Sequence, residues 1–170
     1  MEKRNVTVSA IVAAIVLIGD QLSKHWAETW LRTNGEYKIW DGVLHLRYVE
    51  NRGAAFGMMQ GGKWFFLAIT GIACAAMLYF LIKERKRLHF MMTFSLALLL
   101  SGAIGNLIDR VALGYVRDMI YVALIDFAVF NVADMAVTVG CCLLVLDLLF
   151  FKGKKYMEMM DKKPQTGDNS

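Results

Sequence analysis

The chain has 170 residues, a net charge of +4 and an apolar fraction of 57%, with charged residues at only 20%. That apolar share exceeds the roughly 45–50% of soluble domains. The basic residues flank apolar runs without interleaved aromatics, which excludes a nucleic-acid partner and indicates charge that orients a protein in a membrane.

In chain order, apolar stretches of spanning length run over about 6–26, 64–82, 90–108 and 129–151; roughly 20 helical residues cross a hydrocarbon core of about 30 Å. The first is too long for the apolar part of a cleaved signal peptide, and no small-residue cleavage site follows it, so it is read as a retained helix. One four-helix unit over 1–155 is expected, followed by a polar, disordered cytoplasmic tail at 156–170. Unopposed positive charge sits at Lys3 and Arg4, in "KERKRLH" (83–89) and in "KGKK" (152–155), which assigns these ends to the cytoplasm. Segments 28–63 and 109–128 then face outward, both termini are inside, and Trp26, Trp30 and Trp64 mark the outer interface.

Within the outer segment, "GVLHLRYVE" alternates: Leu44, Leu46 and Tyr48 on one side, His45 and Arg47 on the other. Turn signals stand at "DG" (41–42) and "RG" (52–53). A small sheet on the membrane surface is expected over about 37–60, with the apolar, glycine-rich "AAFGMMQGG" (54–62) dipping into the interface and able to bury acyl chains.

The polar residues inside the helices carry the functional signal. At 1.5 Å per residue, Lys152 to Asp134 spans about 27 Å, Arg4 to Asp20 about 24 Å and Arg87 to Asn106 about 28 Å. Asp20, Asn106 and Asp134 therefore reach one plane near the outer surface from three helices. Each cluster also has a plainer reading. Asp20 and Lys24 form an i,i+4 pair, in which Lys24 could snorkel outward. Asn106, Asp109 and Arg110 share a face, with capping and a local Asp–Arg pair as the alternative. Asn131, Asp134 and Thr138 line one side, with a helix cap as the alternative. Asp126 reads as a solvated charge and Asp147, near the inner surface, as structural.

His25, His45 and His89 are scattered, so no metal-ligand spacing is present and no cofactor is expected. Cys74, Cys141 and Cys142 lie in apolar runs and read as small core hydrophobes. A Ser101–Lys24 couple is conceivable, but Ser101 lies about 7 Å deeper than Asn106. Two carboxylates held close share a proton: the ionised one takes a proton from water and the neutral one donates to a substrate carbonyl, which is peptide hydrolysis from acids and water. A carrier would place its polar groups near the midplane, and a non-catalytic scaffold would not need the second acid.

Five blocks, "DQLSK" (20–24), "NRGAAFG" (51–57), "GAIGNLIDR" (102–110), "GYVRD" (114–118) and "FNVADMAV" (130–137), in this order on four helices, resemble the lipoprotein signal peptidases (signal peptidase II) along nearly the whole chain. The resemblance implies an all-α integral membrane protein of the bacterial inner membrane with four transmembrane helices, a small extracytoplasmic β-cradle and a short outer lid helix at about 120–128. It implies an aspartic endopeptidase that acts, as a monomer and without a metal, on diacylglyceryl-modified prolipoproteins in contact with membrane lipid, cutting before the lipidated cysteine. It makes Asp118 and Asp134 the catalytic pair, with Asp20, Lys24, Asn51, Gly53, Asn106, Asp109, Arg110 and Asn131 supporting the site or positioning substrate. Met119 stands where the family usually has Phe, and the gap "MIYVALIDFAVFNVA" between the acids is short and apolar. Aligning "IDF" (125–127) with the family's "VxDF" is the alternative; "GYVRD" keeps the spacing from "DR" (109–110) and is preferred.

Overall fold

A computed structural model describes residues 3–53, 63–84 and 87–151. Among the described residues, four helices are long and apolar enough to cross a membrane: α1 (Lys3–Trp26), α2 (Lys63–Lys83), α3 (Phe90–Ala112) and α4 (Val132–Phe150). On α1, Ile11, Ile15, Ile18 and Leu22 are all more than half exposed; their 4-3-4 spacing makes one stripe for lipid contact. Asp20 and Lys24, on the opposite side, are fully buried. Helix α3 packs against α1, α2 and α4. Small residues permit its close approach to α4: a Cβ on Gly102 would collide with the Ala133 carbonyl oxygen, and one on Gly140 would lie 2.9 Å from that of Ser95. Away from the polar end, Leu88, Met92 and Leu96 form an apolar core with Leu144 and Leu148.

The chain does not leave α1 at Trp26. It widens into a π turn, Ala27–Leu31, and adds one more helical turn, Arg32–Asn34. Gly35, at φ 82°, then reverses it. Strands β1 (Tyr37–Trp40), β2 (Leu44–Asn51) and β3 (Val116–Val122) form an antiparallel sheet in that order. Leu46, Tyr48, Met119 and Ile120 pack on Ala27 and Leu31 of the π turn, so the expected Leu46–Tyr48 face is the core face. His45, expected on the other face, is nevertheless buried and accepts a hydrogen bond from the Gly42 amide at 3.1 Å.

Several boundaries differ from expectation. Helix α3 runs four residues past Ile108 and so carries Asp109 and Arg110 within it; it ends where the Gly114 amide bonds the Arg110 carbonyl with Gly114 at φ 87°. Helix α4 starts at Val132, with Asn131 as its cap. The outer segment expected as a helix over 120–128 is strand as far as Val122, then a single 3-10 turn, Ala123–Ile125. The β-branched and aromatic side chains of "VRDMIYV" suit a strand, and the edge of β2 supplies the hydrogen bonds. Residues 54–62 and the tail from 152 lie outside the described residues.

Candidate active site

The site forms where β3 meets the start of α4. Met119 and Ile120 donate their backbone N–H groups to the Phe130 carbonyl at 3.0 and 2.8 Å, and Phe130 returns a bond to the Ile120 carbonyl at 3.0 Å. This bridge sets Asn131 beside Asp118. Asn131 caps α4: its Oδ1 accepts from the Asp134 amide at 2.9 Å, while its own amide donates to Asp134 Oδ2 at 3.2 Å. These two bonds form a capping box. The other half of the same side chain, Nδ2, donates to Asp118 Oδ1 at 2.6 Å. One asparagine therefore ties both carboxylates, and the plainer reading of Asn131 as a cap and the functional one hold together.

Each acid has a second amide donor. Asn51 Nδ2 donates to Asp118 Oδ2 at 2.9 Å. Across the sheet Asn51 pairs with Val116, which makes Asp118 its diagonal neighbour two residues along. Asn51 Oδ1 accepts from the Gly53 backbone amide at 3.0 Å, which fixes the orientation of the side chain. Asn106 Nδ2 donates to Asp134 Oδ1 at 2.8 Å. The orientation of Asn106 is set from behind: its Oδ1 accepts from Lys24 Nζ at 2.9 Å and from Asn131 at 3.1 Å.

Lys24 does not snorkel. It is fully buried, 2.8 Å from Asp20 Oδ2 and 3.6 Å from Asp109 Oδ2. A buried ammonium is tolerable only with such partners. Asp20 Oδ1 in turn accepts from the Ala133 amide at 2.8 Å, binding α1 to the first turn of α4. A Cβ on Gly105 would lie 2.6 Å from Asp20 Oδ2, so only glycine admits the carboxylate here.

The plainer alternative of a local Asp109–Arg110 pair does not form. Asp109 bonds Arg117 instead, at 2.7 Å, and Arg110 lies over the Phe66 ring at 5.4 Å while lining the cavity. Arg117, together with Gln21 and Glu28, was missed from the sequence. The available signal was strand alternation, which turns the residue before Asp118 toward the opposite side. Ser101 Oγ donates to the Leu98 carbonyl at 2.9 Å, and Lys24 is engaged elsewhere, so no Ser–Lys couple is assembled. Asp126 is exposed and accepts from the Tyr121 hydroxyl at 2.6 Å. Among the described residues no cluster of His, Cys, Asp and Glu is arranged to hold a metal ion.

Asp118 and Asp134 both border a cavity of about 500 Å³, together with Asn51, Asn106, Arg110 and Thr138. Burial pushes the Asp118 carboxyl up to about 7; the amides of Asn51 and Asn131 favour its ionised form and the neighbouring Asp134 opposes it. A carboxyl that keeps a proton near neutrality beside a second carboxylate can divide acid and base work between the two.

The signal peptidase (SPase) II family model matches residues 12–150. The lipoprotein signal peptidase of Streptococcus thermophilus (strain CNRZ 1066) is 46% identical over 142 residues, 83% of this chain and 92% of that one. The lipoprotein signal peptidase of Clostridioides difficile (strain 630) is 43% identical over 145 residues, 85% and 97% of the two chains. A bacterial membrane enzyme solved by the in meso method at 2.3 Å superposes with a TM-score of 0.77 at 33% identity, covering 95% of this chain and 94% of that one. With motif order, helix arrangement and sequence in agreement over this length, the chain belongs to the signal peptidase II family.

Proposed function

We propose that this membrane peptidase removes signal peptides from diacylglyceryl-modified prolipoproteins, cutting before the lipidated cysteine, and that Asp118 and Asp134 are its catalytic pair. The observation that carries this is the sharing of Asn131 by two carboxylates that open on one cavity. One carboxyl holds the shared proton and donates a hydrogen bond to the scissile carbonyl. The other takes a proton from water as the oxygen attacks that carbon. Collapse of the tetrahedral species breaks the C–N bond, and the leaving amine takes a proton from the pair. Asn51, Asn106 and Asn131 hold the acids; Asp20, Lys24 and Asp109 brace Asn106 from behind. Gly53 fixes Asn51, and Arg110 lies in the cavity wall, where substrate carbonyls would pass.

The basic clusters orient the chain with both termini in the cytoplasm and the site near the outer face of the bacterial inner membrane. Residues 1–155 act as one unit, as a monomer, and substrate acyl chains lie against Ala54–Gly62. Each buried methylene is worth about 0.8 kcal/mol, so two acyl chains set the depth of the scissile bond. The test is cleavage by purified protein in detergent of a diacylglyceryl-modified prolipoprotein and its unlipidated form. Only the lipidated form should be cut. Equal cleavage of both overturns the lipid requirement, and cleavage of neither overturns the substrate.

A further inference from the structure

We propose that Arg117 is a positioning residue for the hydrolysis: it clamps the strand that presents Asp118 onto α3 and onto the π turn of α1. The inference rests on the reading of Asp118 as one of the two acting acids. Alternation along β3 directs the Arg117 side chain away from the cavity that Asp118 borders. It is 9% exposed. Its backbone N–H and Nε donate to Asp109 Oδ2 at 3.0 and 3.2 Å, and Nη2 to Asp109 Oδ1 at 2.7 Å. Nη1 reaches Glu28 Oε2 at 3.0 Å, and Nη2 also reaches Gln21 Oε1 at 3.2 Å. The Arg117 carbonyl accepts from Asn131 Nδ2 at 3.4 Å, the group that also donates to Asp118 Oδ1 at 2.6 Å.

Three elements thus converge on one guanidinium. Burial works against its charge, but the bonds to Asp109 and Glu28 outweigh burial and hold it above its ordinary value. Its planar fork meets Asp109 side-on and still reaches Glu28 and Gln21, which a lysine ammonium cannot do from a single point. Glu28 belongs to the π turn, a feature often found at functional positions. One peptide unit separates this anchor from the acid. If residue 117 shifts, Asp118 moves relative to Asn51 and Asn131, and a misplacement of about 1 Å costs on the order of 100-fold in rate. An ion cluster that only held the fold together would change stability and leave turnover alone.

The experiment uses the full chain in detergent with the lipidated prolipoprotein, comparing R117M, R117K, E28Q and the R117M/E28Q double variant. kcat, KM and Tm are measured, with ¹³C-carboxyl NMR titration of Asp118 assigned by Asp118→Asn. R117M is expected to lose about 30-fold in kcat well below its Tm, with KM changed by less than about twofold. R117K should recover part of that loss. E28Q should cost little once Arg117 is gone, because coupled residues are not additive. The Asp118 titration should move upward as its two amide donors loosen. A kcat within about twofold of the parent in R117M, with only Tm reduced, overturns the proposal. If R117M does not fold, parent-level kcat in R117K overturns it. If the parent cleaves nothing, the functional reading fails on its own; an unmoved Asp118 titration in R117K then sinks the positioning role and a moved one upholds it.

Discussion

The two ends of the helix bundle both bury carboxylates, and they do so differently. At the end away from the cavity Asp147 is fully buried with Oδ1 2.8 Å from His89 Nε2, while its Oδ2 has no hydrogen-bond partner among the described residues. At the other end both oxygens of Asp118 and both of Asp134 accept N–H bonds, and a shared asparagine joins the two acids. Burial of an acid is therefore not what marks the site. What marks it is connection: an acid whose donors also serve a second acid, with a cavity in front of both. Asp147, bonded to His89 at the start of α3, joins that helix to α4, and among the described residues it shares no donor with a second acid.

The hardest test of that contrast is isosteric. Asp118→Asn and Asp134→Asn are each expected to lower cleavage about 1,000-fold or more while leaving Tm within a few degrees, and the double variant should be little worse than either. Cleavage assays with parallel thermal unfolding decide it. A fully active Asp118→Asn with a dead Asp126→Asn would move the pair to the alternative alignment.

The pH dependence sharpens the same point. With the Asp118 carboxyl raised from 3.8 to about 7, the folded state binds more protons than the unfolded chain between these values. Stability from this group is then fully present below about 3.8 and lost as pH rises through about 7. Cleavage should fall over the alkaline side of that midpoint as the shared proton leaves. Asp118→Asn should remove this part of the Tm-against-pH slope; a slope unchanged in the variant contradicts the assignment.

Asn131 can be divided into its two tasks. Asn131→Ser keeps a cap oxygen for the Asp134 amide but loses the donor to Asp118, and should lose roughly 10- to 100-fold in kcat with Tm nearly kept. Asn131→Ala should lose similar activity plus about 1 kcal/mol of stability from the missing cap. The smallest effects belong to the acids outside the network. Asp147→Asn should keep activity within about threefold, its cost appearing as about 1–3 kcal/mol of stability. Asp126→Asn, at an exposed bond to Tyr121, should change neither measurably. An inactive Asp147→Asn would break the comparison outright.

Much of this was legible in the sequence because helices have a fixed rise. Counting residues from the basic ends brought Asp20, Asn106 and Asp134 to one level, and in the fold Asp20 meets the first turn of α4 while Asn106 meets Asp134. Pairings set by distant backbone were not legible from spacing. Strand β3 owes its existence to β2, more than 60 residues earlier, with Asp118 opposite Val49 and Val116 opposite Asn51; the lid helix expected over 120–128 came from the motif resemblance alone. The inward turn of Lys24 depends on Asp20, Asn106 and Asp109 all being in place. The partner acid Asp118 came from motif resemblance, since a loop residue has no depth to count.

The glycine contacts between α3 and α4 have a mechanical meaning. Gly102 sets the helix backbone against Ala133, and Gly140 sets it against Ser95 and Leu99, leaving little slack for the bilayer to compress. Lateral pressure and hydrocarbon thickness differ between membranes, but the Asn106-to-Asp134 reach is set by this backbone contact. Changing lipid chain length should consequently tune how deep a substrate rides and leave the Asn106-to-Asp134 reach unchanged. In lipids of different thickness the enzyme would behave as a rigid gauge held at one height, reading the depth of whatever peptide the membrane presents.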